Sequence, residues 1–388
     1  MKKGKILIVS DYLFGEFEGG AARVSTSLSE ALALSFEVKL LLRGLSGYPE
    51  REMFKGIEVF RYFSRLPRFF SFLREIFSSK ISAVNLHDPY GAFWTVIYLK
   101  LSGLRVPCVY TFHSPWSEEY GIRAAKKGHS FLRRWLCSWL RSSAEGFALR
   151  HCDKIIAESF YMSEKLKSLH GLQCEILKLG TDTKKFFPSE ALQKKILRKK
   201  FSLPEDKKVF FTLRNLEPRM GIENLIKAVS MLDEEIIRNS FFLIAGKGSM
   251  RKELSDLIES LNLSGVCRLY GFVEEKDLPD LYRACDAFIL PTYELEGFGL
   301  ISAEAMSSGL PVLATPVGAN IQVVSALDPS LLFEGRESRD IANGIKKFMS
   351  LKDVSELGAR ARLCAEKNYS FSEYASKMEK ILDELSHM

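Results

Sequence analysis

Residues 291–315, PTYELEGFGLISAEAMSSGLPVLAT, contain a loop, a glycine-rich turn, a helical pattern and a strand in direct succession. The apolar run before them, residues 287–290, predicts a buried strand. Glycines bracket Phe298 where the helix begins, so the backbone can approach a ligand closely and its N–H groups favour an anion such as phosphate. Two carboxylates accompany the turn, Glu296 before the helix and Glu304 about two turns inside it. An ordinary helix cap with a solvated glutamate explains the pattern equally well.

The length and composition of the chain indicate two ordinary globular domains. It has 388 residues, of which 46% are hydrophobic, enough for two cores. The net charge of +7 is mild for this length, and no nucleic-acid partner is predicted. The seven cysteines are scattered and lack CxxC spacing, which is typical of reduced cytoplasmic thiols and unlike a zinc site or a disulfide framework. We therefore predict a cytoplasmic protein without a bound metal.

The first half of the chain alternates short apolar runs with helical patterns, which predicts a parallel sheet with helices on both faces. Gly19 and Gly20 separate the first predicted strand, residues 5–10, from the first helix. They are a candidate ligand loop at the carboxyl end of a strand, although a tight turn accounts for them as well. His113 directly follows the predicted strand at residues 106–112, a position where ligands bind in open sheets, and a purely structural role stays equally open.

Two basic and aromatic segments could bring the first half into contact with a membrane. They are residues 65–80 and 131–140. Core packing with a solvated basic edge is the alternative, and phenylalanine at helical spacing favours it for the first segment. Residues 121–154 carry eight Lys and Arg against two acids, a local net charge of +6. No run reaches the ~20 apolar residues that span a bilayer, so contact would be peripheral, at the inner face of the plasma membrane.

A charged run at residues 190–200 interrupts the alternation and predicts a linker with a solvated helix. We place a domain boundary beside it, giving a first domain of residues 1–182 and a second of residues 183–370. The alternation of strands and helices then restarts, which predicts a second parallel sheet. Two such domains in one chain suggest a cleft between them.

Two strand ends in the second half carry groups suited to a diphosphate. Arg214 follows a predicted strand with Arg219 beyond it, and arginine forks bind diphosphates well. Gly246 and Gly248 follow the next strand and open a helix, although the pattern is neither a full GxGxxG nor a P-loop. Each signal alone is weak. Together they surround one side of the cleft with chemistry that favours a nucleotide diphosphate.

The segment LEGFGLISAEAMSSGLPVLAT resembles the EGFGxxxxEAMAxGxPVxAT signature of family 4 glycosyltransferases, which are retaining enzymes of the GT-B fold. That fold consists of two Rossmann-like doubly wound domains facing a cleft. The E-x7-E pair of the family falls on Glu296 and Glu304. Further matches run through the chain: LGTDTKKFFP, LRNLEPRMGIENLIKAV, AGKGSMRKEL and LYGFVEEKDLPDLYRACDAFILPT. Residues 371–388 resemble the helix that crosses back to complete the first domain, which binds the acceptor, while the second binds the donor.

The resemblance implies roles for the candidate residues. Glu304 would accept hydrogen bonds from ribose hydroxyls, Glu296 would contact the donor sugar, and the arginines would hold the diphosphate. His113 would position the donor sugar or the acceptor. The implied catalytic residues are His113, Glu296, Arg214 and Arg219. The implied donor site comprises Gly19, Gly20, Arg214, Arg219, Gly246, Gly248, Glu296, Gly297, Phe298, Gly299, Leu300 and Glu304.

The implied reaction moves a hexosyl unit from UDP- or GDP-hexose to an acceptor hydroxyl with retention of configuration. The leaving phosphate would help to deprotonate the acceptor, and the protein would mainly stabilise the departing diphosphate. No cofactor or metal is implied, because arginines and helix dipoles can replace it. The acceptor would be a glycan or a lipid-linked molecule in cell-envelope polysaccharide or glycolipid synthesis.

Two departures from the family pattern leave alternatives open. The usual lysine six residues after Arg214 is Met220, and we expect Arg219 to supply the missing charge. The glutamate of the VGGxPE loop is Gln322, and its second glycine is Ala319. A nucleotide-sugar epimerase would act on the donor alone, and a pseudoenzyme would bind the donor without turnover. A phosphorylase would need a Schiff-base lysine, for which the sequence offers no clear candidate.

Overall fold

The computed structural model describes residues 2–16, 19–63, 66–351 and 354–387. The chain divides into two compact units, the first Met1–Lys178 with Glu373–Met388 and the second Leu179–Ser372. The boundaries predicted from the sequence lie within a few residues of these divisions. The acceptor and donor roles assigned to the two domains stay predictions.

Within the described residues the first unit contains an eight-stranded sheet with helices between its strands. The strands are β1 (Lys5–Ser10), β2 (Glu37–Leu42), β3 (Arg51–Phe54), β4 (Ile57–Arg61), β5 (Ala83–Leu86), β6 (Cys108–Phe112), β7 (Lys154–Ala157) and β8 (Glu175–Ile176). The helices are α1 (Gly20–Leu32), α2 (Leu66–Ser78), α3 (Pro89–Ser102), α4 (Trp116–Lys126), α5 (Phe131–Arg150) and α6 (Phe160–His170). The strand order is β3-β4-β2-β1-β5-β6-β7-β8.

Neighbouring strands of this sheet are parallel, except that β3 pairs antiparallel with β4. The central strands are continuous apolar runs because helices cover both faces, and the four residues from Ile6 to Val9 are fully buried. The sequence prediction of a wholly parallel sheet missed β3. Lys55 and Gly56 form its connection to β4 with φ of 48° and 80°, the left-handed pair that two-residue hairpins require.

The basic and aromatic segment at residues 65–80 forms α2, apart from Arg65, which lies outside the described residues. Phe69, Phe72, Leu73 and Ile76 are all fully buried on one face of this helix. The core-packing interpretation is therefore confirmed for α2. These buried side chains are not available to a membrane, and contact of α2 with a membrane stays a prediction.

The second unit contains a five-stranded parallel sheet within the described residues. Its strands are β9 (Lys208–Leu213), β10 (Ser240–Ala245), β11 (Cys267–Gly271), β12 (Ala287–Leu290) and β13 (Val312–Ala314). In chain order its first helices are α7 (Ala191–Lys200), α8 (Ile222–Val229), α9 (Glu234–Arg238), α10 (Arg251–Ser260) and α11 (Leu278–Ala284). They are followed by α12 (Leu300–Ser307), α13 (Asn320–Ser325), α14 (Ser338–Met349) and α15 (Val354–Asn368).

The last helix, α16 (Phe371–Ser386), belongs to the first unit from Glu373 onward. Lys3 near the amino terminus pairs with Glu379 at 3.0 Å and Asp383 at 3.2 Å on this helix. The C-terminal segment is thus attached to the opposite end of the chain. Across the described ranges, none of the helices combines the length and the apolar character needed to cross a membrane.

The charged run at residues 190–200 forms α7, which is packed into the second unit. Arg198 is only 6% exposed, and its guanidinium donates to Asp286 and to the carbonyl oxygen of Ala284, the latter at 3.0 Å. Two further carbonyl oxygens, of Glu205 and Lys207, accept from the same side chain. Seven of the ten residues of α7 are exposed, as predicted for a solvated helix, but the prediction of a linker is wrong because Arg198 attaches the helix to the second unit. An arginine is tolerated in this buried position because its N–H groups are satisfied.

Candidate functional site

The strand order of the second unit, β11-β10-β9-β12-β13, reverses between β9 and β12. Doubly wound sheets bind ligands at the carboxyl ends of their strands, at this kind of switch point. Arg214 directly follows β9, and the loop at residues 291–299 directly follows β12. The topology thus brings an arginine and a glycine-rich turn, distant in sequence, to one edge of the sheet.

Arg214 and Glu296 form an ion pair at this edge. Nη2 of Arg214 lies 2.8 Å from Oε2 of Glu296, and the two side chains are only 8% and 9% exposed. Thr292 donates its hydroxyl to the same carboxylate oxygen at 2.7 Å. The Sδ atom of Met220 lies 2.7 Å from Arg214 Nη2, so the residue that departs from the family pattern contacts the pair directly.

One donor of Arg214 is still available at this site. Its Nε atom is buried and, among the described residues, has no hydrogen-bond partner. Buried polar groups in native proteins are nearly always paired, so this N–H can donate to a ligand oxygen. A guanidinium held by Glu296 and still presenting N–H groups is suited to an oxyanion such as phosphate.

Arg219 connects the following turn to the same loop. Its Nη1 donates to the carbonyl oxygen of Leu295 at 2.9 Å, and its own carbonyl accepts from the N–H groups of Tyr293 and Glu294. Leu295 has φ of 56°, a left-handed conformation that costs a non-glycine residue about 1 kcal/mol or more. These contacts hold the strained loop in place. That Arg219 also replaces the charge lost at Met220 stays a prediction.

Gly246 and Gly248 allow a turn after β10 to pack against the backbone that carries Arg214. Gly246 has φ of 132°, and a Cβ there would lie 1.8 Å from the carbonyl oxygen of Arg214. A Cβ on Gly248 would lie 2.3 Å from the carbonyl oxygen of Leu216. The helix predicted to follow these glycines begins at Arg251. Their close packing restricts both positions to glycine.

Glu304 lies on α12, which begins at Leu300 after Gly299 in the left-handed conformation. The glutamate is the fifth residue of the helix, so it lies one turn from the start rather than the predicted two. The later start follows from Gly297 to Gly299, which form the turn rather than the first helical residues. The Glu304 carboxylate is fully buried and accepts a hydrogen bond from the Tyr282 hydroxyl at 3.0 Å.

Two buried polar atoms near the start of α12 were missed by the sequence interpretation. The hydroxyl of Ser302 and Oδ1 of Asn320 have no hydrogen-bond partner in the part of the chain that the structure describes. A Cβ on Gly299 would lie 3.5 Å from the first and 3.6 Å from the second. Asn320 begins α13, the helix that also carries Gln322. Beside them, Phe298 is buried and packs edge-on against Tyr369 at 5.6 Å between ring centroids.

The first unit has polar side chains at the same edge of its own sheet. Each follows the carboxyl end of a strand directly or within two residues. In the order of the sheet they are Tyr62, Arg43, Asp11, His87 with Asp88, His113 and Glu158, after β4, β2, β1, β5, β6 and β7. Of this row, the sequence interpretation selected only His113, although the rule that selected it applies to every member. Gly19 and Gly20 lie where α1 begins, after β1.

His113 is held through both ring nitrogens. Its Nδ1 lies 2.9 Å from Oε1 of Glu158, and its Nε2 lies 2.8 Å from Nδ1 of His87. Burial lowers the pKa of His87 well below its usual range, and the neighbouring His113 lowers it further. Since His87 is therefore neutral, the arrangement fixes the orientation of the His113 ring between a carboxylate and an uncharged imidazole.

Asp88 is a buried acid in the same row. Its carboxylate accepts from the N–H groups of Gly91 at 2.7 Å and Tyr90 at 3.3 Å, which caps α3. Burial, together with the nearby Asp11, raises the pKa of Asp88 to about 8 against the opposing effect of Arg43. The pKa of Asp11 is also raised by burial. At neutral pH Asp88 therefore retains a proton that a water-exposed carboxyl would have lost.

The variant Asp88→Asn is expected to flatten the pH dependence of unfolding. The pKa of Asp88 in the folded protein is about 8, whereas its ordinary value is 3.8. The contribution of this group to stability is therefore fully present below pH 3.8 and is lost as the pH rises toward 8. Between these values wild-type stability should fall relative to the variant, by up to about 1.4 kcal/mol per pH unit. All four tryptophans belong to the first unit, so tryptophan fluorescence during urea unfolding reports on it. Parallel curves for the two proteins would contradict the assignment.

Two models of known protein families match this chain, one in each half. The family model for "Glycosyltransferase Family 4" matches residues 18–185, and the family model for "Glycosyl transferases group 1" matches residues 193–377. The chain belongs to glycosyltransferase family 4. The resemblance inferred from residues 291–315 is thereby confirmed.

Two curated relatives illustrate this kinship. Mannosylfructose-phosphate synthase of Agrobacterium fabrum is 28% identical over 243 residues, which is 60% of this chain and 52% of that protein. A D-inositol 3-phosphate glycosyltransferase of Streptosporangium roseum is 26% identical over 294 residues, 72% of this chain and 65% of that protein. The matched segments therefore span between about half and two thirds of these relatives.

Solved structures share the fold along the whole chain. Sucrose-phosphate synthase from Thermosynechococcus elongatus has a TM-score of 0.82 at 21% identity, covering 98% of this chain and 99% of its own. Anabaena HepE, in complex with UDP and glucose, has a TM-score of 0.78 at 18% identity, with 98% and 99% covered. The predicted GT-B fold class, with two Rossmann-like units, is confirmed.

Proposed function

We propose that this family 4 protein transfers a hexosyl unit from UDP- or GDP-hexose to an acceptor hydroxyl with retention of anomeric configuration. The observation that carries the proposal is the buried Arg214–Glu296 pair at the switch point of the second unit, with Arg214 Nε still available. A cation with a free N–H beside a glycine-rich turn is suited to a diphosphate. The relatives named for sugar transfer, and HepE with UDP and glucose, support a nucleotide-sugar donor.

In the proposed reaction, Arg214 and Arg219 stabilise the charge that develops on the departing diphosphate. This is a contribution that grows as the glycosidic bond breaks, so it accelerates the chemical step. No metal takes part, because the guanidinium groups and helix N-termini supply the positive potential. Glu296, held by Arg214 and Thr292, contacts the donor sugar, and Glu304 accepts hydrogen bonds from the ribose.

On the acceptor side, His113 positions the reacting groups, and the leaving phosphate removes the acceptor proton. Glu158 and His87 already orient the ring of His113, which supports this role. Aligning such a fixed imidazole with the substrate costs little free energy. The acceptor is a glycan or a lipid-linked molecule in cell-envelope polysaccharide or glycolipid synthesis, and the reaction takes place in the cytoplasm.

A panel of nucleotide sugars tests the proposal. The full-length protein is incubated with UDP- and GDP-hexoses, with and without candidate oligosaccharide or lipid-linked acceptors, and free nucleoside diphosphate is measured. We expect one donor class to release diphosphate, faster with an acceptor, and NMR of the product to show the donor's anomeric configuration. Epimerisation of the donor without transfer would instead identify an epimerase, and binding without turnover a pseudoenzyme.

A further inference from the structure

The first three turns of α5 expose a continuous apolar surface, which we call the α5 face. Six large apolar side chains on these turns are each between 46% and 75% exposed. They are Phe131, Leu132, Trp135, Leu136, Trp139 and Leu140. Buried residues on this helix begin only at Glu145. Such a concentration of exposed aromatic and aliphatic groups marks an interaction surface.

The spacing of these residues places them on one side of the helix. At about 100° per residue they fall within an arc of about 180°. The opposite side faces α4, where the Ser138 hydroxyl donates to the Ser117 carbonyl and Arg141 lies 3.7 Å from the Tyr120 ring centroid. The α5 face is therefore not the side that packs against α4. This part of α5 is therefore amphipathic, with one apolar side and one side that makes polar contacts.

The charge around the α5 face is positive. Arg133 and Arg134 flank the two edges of its arc, and Lys127 lies just before the helix. The nearby acids are already neutralised or buried. Glu118 pairs with Lys165 at 2.7 Å, Glu119 pairs with Arg123 at 3.1 Å, and Glu145, in the last turns of α5, is fully buried. A partner surface must therefore tolerate tryptophan and leucine and must carry negative charge.

We infer that the α5 face docks the protein onto an anionic lipid bilayer. An apolar helix face rimmed by arginines, with tryptophans at its centre, matches the boundary between acyl chains and negatively charged headgroups. A second copy of the chain fits less well, because the same arginines would then face each other across the interface. This inference goes beyond sugar transfer and does not depend on it, because lipid binding is measured without a donor.

Vesicle flotation tests the inference with the intact protein. Phosphatidylcholine vesicles are compared with vesicles containing about 30 mol% phosphatidylglycerol, and the expected partition is about tenfold higher onto the anionic ones. The double variant Trp135→Ser/Trp139→Ser is expected to lose about tenfold of that binding. Its matched control is Leu34→Ser/Leu101→Ser, because both leucines are more than 80% exposed in the same unit and lie outside the α5 face. This control should bind like the wild type.

A second variant is Arg133→Gln/Arg134→Gln. It should lose the preference for anionic lipid, and its thermal unfolding should match that of the wild type. Three outcomes would overturn the inference. The wild type could fail to bind anionic vesicles, or the tryptophan variant could bind as the wild type does. In the third, sedimentation shows a dimer that the tryptophan variant abolishes while vesicles stay unbound, which would assign the α5 face to self-association.

Discussion

Replacing Arg214 by alanine is expected to reduce kcat/KM for glycosyl transfer by about 10² or more. The guanidinium lies at the switch point of the second unit, is almost fully buried, and still has an available N–H. In such a site, loss of a charged contact to a departing diphosphate raises the barrier more than it weakens binding of the donor. Steady-state release of nucleoside diphosphate, with donor and acceptor varied separately, measures the loss and its division between kcat and KM.

Loss of a buried ion pair also destabilises the protein, so the experiment needs a control for stability. Arg198 provides it, because this arginine is equally buried in the same unit and donates to Asp286. Asp286 immediately precedes β12, so this pair lies at the amino end of that strand, away from the carboxyl edge that carries Arg214. Below the melting temperature of both variants, Arg198→Ala should retain most of the transfer activity. If it loses as much as Arg214→Ala, the role assigned to Arg214 is structural.

The arrangement of strands was largely predictable because parallel strands covered on both faces are unbroken apolar runs. The bounds of β12 agree with the prediction to the residue. The rule that ligands bind at carboxyl ends then selected Arg214 and His113 without any structural information. What that rule could not provide is the partner of each group. The contact of Arg214 with Glu296 depends on two loops far apart in the chain, and only the folded sheet brings them together.

The features that were not predicted from the sequence share one physical cause, which is that tertiary contacts override the local sequence pattern. The charged run at residues 190–200 has the composition of a linker, yet carbonyl oxygens and Asp286 bind the buried Arg198 and attach the helix to the second unit. Asn320 looks like an ordinary polar residue, and its significance lies in a buried oxygen without a partner in the described part of the chain. The raised pKa of Asp88 likewise depends on its burial and on the nearby Asp11, which the sequence alone does not show.

Replacing Glu304 by glutamine is also expected to reduce kcat/KM by about 10², mainly through a higher KM for the donor. Ribose contacts are made equally in the ground state and the transition state, so their loss weakens binding rather than the chemical step. Hydrogen bonds to a charged carboxylate contribute about 1.5–3 kcal/mol, which corresponds to a loss of about tenfold to 10². Donor titration by steady-state kinetics separates this result from the loss in kcat expected at Arg214.

Tyr282 decides whether Glu304 binds ribose or only stabilises the core. Its hydroxyl donates to Glu304 at 3.0 Å, and its ring packs against Phe186, Phe211 and Phe288. Tyr282→Phe removes the hydrogen bond but leaves the carboxylate, so it should change donor KM by only a few fold, about 1 kcal/mol. Affinity for the nucleoside diphosphate of the donor, UDP or GDP, should exceed that for its 2′,3′-dideoxy analogue in the wild type and in Tyr282→Phe, and this preference should disappear in Glu304→Gln. If Glu304→Gln keeps the preference, ribose recognition resides elsewhere, because a carboxylate that does not contact the hydroxyls cannot discriminate between the two nucleotides.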